Sequence, residues 1–119
     1  MIISKQCTDD EKKQLKTIAE YMRRGHAFCP KKAQANMFDN EGGACALGCV
    51  ALIIDPNIRK NYLNGTYGVW HRLRTTFNVL NIKISSTDEV IDYIWKRSDR
   101  LTDSESILDI AQELESLAI

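Results

Sequence analysis

At 119 residues, with 44% hydrophobic and 27% charged side chains, the chain has the size and balance of one globular domain, which excludes extended disorder and several domains. Sixteen Lys and Arg offset sixteen Asp and Glu, so no global basic excess marks a dedicated nucleic-acid binder; the pairs Arg23-Arg24, Lys31-Lys32, Arg59-Lys60 and Lys96-Arg97 are scattered and read as solvated helix faces. The longest apolar run, Ala44 to Ile54, is about half of what a bilayer crossing requires, and the N-terminus lacks a signal-peptide pattern. The expectation is a cytoplasmic domain with no membrane contact, whose Cys7, Cys29, Cys45 and Cys49 are reduced thiols.

Thr8-Asp9-Asp10-Glu11 has the spacing of a capping box, in which the hydroxyl and the carboxylate satisfy each other's free N–H groups. The helix it opens carries Leu15, Ile18, Ala19 and Met22 as one apolar stripe, and Gly25 is placed to close it. From His26 to Asn40 the pattern is irregular, with Pro30, Lys31-Lys32, Asn36, Asp39 and Asn40, and predicts a long loop, read equally well as a functional loop or as a packed one with a helical turn around Lys32 to Asn36. Gly42-Gly43 releases the chain into Ala44 to Ile54, apolar on every side, which predicts a helix enclosed by others. Asp55-Pro56 ends it.

Asn57 to Gly65 admits a short helix, and Tyr67 to Leu80 repeats apolar residues at helical spacing. Ile82 and Ile84 alternate as in a brief extended piece. Two further boxes, Ser86-Thr87-Asp88-Glu89 and Thr102-Asp103-Ser104-Glu105, predict starts for the last two helices. The fold class that results is mainly α: residues 1–119 form a single orthogonal helical domain, with about five helices around one buried apolar helix.

Three chemistries fit these residues. Cys45, near a helix start and behind two glycines, has the position of an activated thiol in a cysteine-dependent hydrolase or transferase, with His26 or His71 as its base. His26, Cys29, Cys45 and Cys49 supply the right donors for a small zinc-binding domain, though not at a standard finger spacing. Phe28, Lys31, Lys32, Phe38, Asp39, Tyr67 and Trp70, from the loop and nearby aromatics, would suit a surface that docks a partner protein. No phosphate-binding loop, carboxylate pair or Ser-His-Asp order is evident.

Gly43-Ala44-Cys45-Ala46-Leu47-Gly48 resembles the G-x-C-A-L-G core of a family of small uncharacterised proteins of bacteria and their phages. That family also has an N-terminal helix ending in a turn, a variable loop before the motif, and a closing helix after a polar turn, as Trp95 to Leu117 would provide. Asn57 to Ser85 departs from the pattern, and the family commonly has alanine where Cys49 stands. The resemblance implies no activity, but it implies an accessory protein of a phage or mobile element. The expectation is therefore a non-enzymatic module that binds a host or defence protein stoichiometrically, without a cofactor, and with self-association left open.

Overall fold

The computed structural model describes residues 7–33, 36–64, 69–85 and 87–119. The first capping box forms as its spacing predicts: the Glu11 N–H donates to Thr8 Oγ1 at 3.1 Å and the Thr8 N–H to Glu11 Oε1 at 3.0 Å. It opens α1, Asp9–Phe28, whose stripe of Leu15, Ile18, Ala19 and Met22 is buried. Gly25 does not close the helix. It lies inside it, because a Cβ there would stand 2.0 Å from the main-chain oxygen of Cys49. Glycine is what lets the backbones of α1 and the apolar helix touch.

The described residues between 29 and 45 form a packed connection. Ala44 lies between two other stretches of chain, in a parallel bridge with Lys32 and an antiparallel bridge with Phe38. The Ala33 N–H donates to Ala44 O, the Ala44 N–H to Lys31 O, and the Cys45 N–H to Met37 O. Ala33, Met37 and Phe38 are buried. Where a helical turn was expected around Lys32 to Asn36, the described residues show the bridge at Lys32 and bends at Asn36 and Met37. These main-chain bonds also delay the apolar helix. α2 spans Ala46–Ile54, with Cys45 as its extended N-cap, two residues later than the run of apolar side chains suggests.

α3, Ile58–Leu63, and α4, Val69–Thr76, are short. The helical spacing from Tyr67 to Leu80 overestimates α4, because Phe77 is extended (φ −127°, ψ 98°) and the chain resumes as a 3-10 turn over Asn78–Asn81. Ile82 and Ile84 are both buried beside a bridge between Lys83 and Glu89. α5, Val90–Asp99, starts from Glu89 and not from the second box, whose Ser86 lies outside the described residues. The third box folds into a turn of its own, Thr102 N–H donating to Glu105 Oε1. A second box directly after it, Ser106 with Asp109, opens α6, Ile107–Leu117.

Mainly α architecture is thus shown, with six α-helices and isolated bridges among the described residues. α1 packs most extensively against α6 and α2, and α2 also meets α5 and α3. The centre is therefore shared by α1 and α2. Every residue from Ala46 to Ala51 is buried, as an all-apolar helix requires. No described helix is long and apolar enough to cross a membrane.

Candidate functional site

Cys45 stands at the N-cap of α2, but the environment opposes catalysis by it. Cys45 is only 2% exposed, and burial pushes its thiol up to about 11. The nearby main-chain N–H groups of Gly48 and Leu47 pull the other way and lose. A nucleophilic cysteine needs the reverse outcome. His71 sits exposed on α4, and no hydrogen bond among the described residues joins either histidine to a cysteine. The described geometry therefore gives no support to Cys45 as a thiolate served by His26 or His71.

Zinc ligation fares no better. No group of three or more His, Cys, Asp or Glu residues among the described ones is arranged to hold a metal ion. Cys49 is fully buried, and burial is the main cause that pushes its thiol up, with Cys45 and Cys29 adding to it. A thiol so placed resists the deprotonation that metal binding needs. The set His26, Cys29, Cys45 and Cys49 therefore does not form a centre.

The loop that leads into α2 is held in one shape from several sides. Asp39 accepts from the Gly43 N–H at 2.7 Å and the Glu41 N–H at 2.9 Å, closing a tight turn in which Gly42 has φ 88°. The Gly43 N–H first, and then its other partners, hold the Asp39 carboxyl below the usual carboxylate range. Arg59 Nη2 donates to the Asp39 carbonyl at 3.0 Å, and Tyr62 accepts the Met37 N–H at 3.3 Å. Lys32 Nζ reaches Thr102 O and Glu105 O, tying the loop to the α5–α6 turn.

Between this loop and α3 runs a cleft of about 330 Å³ lined by Asn36, Phe38, Asp39, Asn40, Tyr62 and Leu63. Phe38 and Tyr62 meet edge to face, with ring centres 5.6 Å apart. The side-chain amides of Asn36 and Asn40 stand exposed beside them, and Leu63 is 39% exposed.

The residues expected on a docking surface separate into several roles. Phe38 is 1% exposed and belongs to the core, so it cannot carry a surface as expected. Lys32 and Asp39 hold the loop. Lys31 pairs with Glu41 in the solvent. Phe28, at 78% exposure, stands out at the end of α1. Tyr67 and the side chain of Trp70 lie outside the described residues. The aromatic character of Tyr62 suits a recognition surface by sequence alone, but sequence reasoning missed Arg59 and Leu63 and the approach of all three to the loop, since only the fold brings α3 there. It also missed Ser98, buried on α5, whose hydroxyl accepts the Ala46 N–H at 3.1 Å and so caps the start of α2. The one available signal was a serine on the apolar stripe of Val90, Ile91 and Ile94.

No protein-family profile, curated protein or solved structure matches the chain.

Proposed function

We propose that this chain is a cytosolic, non-catalytic protein-binding domain that docks a partner segment in the cleft between the 36–40 loop and α3. The observation that carries this reading is the fixing of the loop. Main-chain bridges at Ala44, the Asp39 turn and bonds from Arg59 and Tyr62 hold it before any partner arrives. A loop ordered in advance loses little entropy on binding. The exposed amides of Asn36 and Asn40 offer both donors and acceptors, and Tyr62 and Leu63 offer apolar contact. The Gly43–Gly48 resemblance to small bacterial and phage proteins supports an accessory role against a host component.

A comparison of baits tests the reading. Immobilised wild-type protein, the double variant Asn40→Arg with Leu63→Asp, and a distant control, Leu108→Asp, are exposed to the same bacterial lysate. Capture of a stoichiometric partner by the wild type and the control, but not by the cleft variant, is the expected result. Equal capture by all three, with unchanged melting temperatures, would remove the cleft from the argument. Iodoacetamide at neutral pH separates this reading from a cysteine-dependent enzyme: Cys45 and Cys49 should stay unlabelled in the folded protein.

A further inference from the structure

The walls of the cleft between the 36–40 loop and α3 carry a single charged side chain, Asp39. That carboxylate is already engaged, because its Oδ1 accepts from the N–H groups of both Gly43 and Glu41. Arg59 is turned to the loop as well, with Nη2 on the Asp39 carbonyl. A charged ligand therefore meets no counter-charge on these walls that is not in use.

Asn36 and Asn40 differ from Asp39. Both are exposed, and neither carboxamide has a hydrogen bond to another described residue. A carboxamide carries two N–H donors and one acceptor oxygen, which is the complement of a peptide group with its single donor and single acceptor. Four steps of chain separate the two residues, no more than about 14 Å even if fully extended, so one short segment can reach both. The remaining lining is apolar or aromatic: Phe38, Leu63 and Tyr62, whose hydroxyl accepts the Met37 N–H.

Conformation decides which partner segments offer free peptide groups. In a helix all but the groups at the two ends are bonded internally, so a helical segment would leave both carboxamides without a match. An extended segment keeps its N–H and C=O groups available, and main-chain bonds then supply affinity while side-chain contacts supply selectivity. A sugar ring would need an open aromatic face to stack on, and here Phe38 is buried and meets Tyr62 edge to face. We infer, on the footing that this cleft is the docking site, that it takes an extended and uncharged segment of the partner protein. Asn36 and Asn40 hydrogen-bond the main chain of that segment, and one of its apolar side chains rests against Tyr62 and Leu63.

Nitrogen-15 NMR of the full chain, titrated with a capped peptide of serine, glycine, leucine, glycine and serine, tests this assignment. The side-chain amide signals of Asn36 and Asn40 should shift to saturation, with a Kd on the order of 1 mM for so short a segment. Methylating the two main-chain nitrogens that flank the leucine removes donors and should weaken binding about tenfold. Exchanging the leucine for serine should cost about tenfold as well. The double variant Asn36→Ala with Asn40→Ala, followed through the Gly42 and Gly43 amide signals, should also bind about tenfold more weakly, and its melting temperature should hold because both side chains are exposed. Four results would overturn the extended segment: no saturable shift, equal affinity for the methylated peptide, tighter binding of a helical alanine-rich peptide with one leucine, or tighter binding of maltose. The lysate comparison reads the cleft separately. A partner captured there, with the methylated peptide bound as well as its parent, removes the extended segment and leaves the docking site standing.

Discussion

The α1–α2–α6 half and the 56–87 segment share one chain and divide its work. In the first, long helices present apolar stripes to one another, and α1 touches α2 backbone to backbone at Gly25 and Cys49. Ion pairs clasp its edges, Arg23 with Glu115, and Arg97 with Glu105 and Glu113. In the second, helices of six and eight residues leave most of their polar side chains in the solvent. Helices so short have little stability of their own and depend on what they pack against. The contrast teaches that long helix crossings gather in the first region, while the second, anchored by Ile58, Leu73, Phe77 and Leu80, sets short helices with exposed polar faces on the same core.

The sharpest way to break this division is at the helix crossing. Gly25→Val places carbon against the Cys49 backbone, which cannot rotate away as a side chain could. Destabilisation of about 3 kcal/mol or more is expected, the upper end for overpacking, read as a fall of roughly 10 °C or more in melting temperature. Ser98→Ala comes next. It leaves the buried Ala46 N–H without its acceptor, at a cost of about 1–3 kcal/mol.

A pH series tests the half-buried His26 at the end of α1. Burial lowers its folded-state pKa below the ordinary 6.5, and its Nδ1 has no hydrogen-bond partner among the described residues. The unfolded chain therefore takes up this proton first, so stability is complete above pH 6.5 and declines as pH falls below it. Denaturant melts between about pH 7.5 and 5 should show that decline, and His26→Gln should flatten it. Lys60→Ala, on α3, belongs at the far end of the scale, within about 0.5 kcal/mol of wild type. A larger loss there would mean that the exposed face of α3 also holds the fold together.

The same division explains what the sequence made legible. The helix class, the stripe of α1 and the Thr8 box depend on neighbours within one turn, and all were readable. Gly25 was not, since a glycine that admits a crossing helix and one that ends a helix look alike without the partner. The start of α2 was misplaced for a related reason: Ala44 is apolar enough for a helix, yet its N–H and C=O are claimed by Lys31 and Ala33. The spacing through Phe77 kept its period while the backbone broke. Of the candidate site, the loop was visible as irregular sequence, but its pairing with Arg59, Tyr62 and Leu63 rests on contacts 20 to 25 residues distant in the chain.

The Gly25–Cys49 contact also has a bearing on how this protein can change. It fixes where α1 lies against α2, and Ala44 seals the two ends of the intervening chain against each other. The residues between these seals can therefore be exchanged without moving their mountings, much as a tool bit is changed in a clamped chuck. A lineage, or an engineer, could retarget the loop by altering Asn36 and Asn40 while the helices beneath it stay as they are.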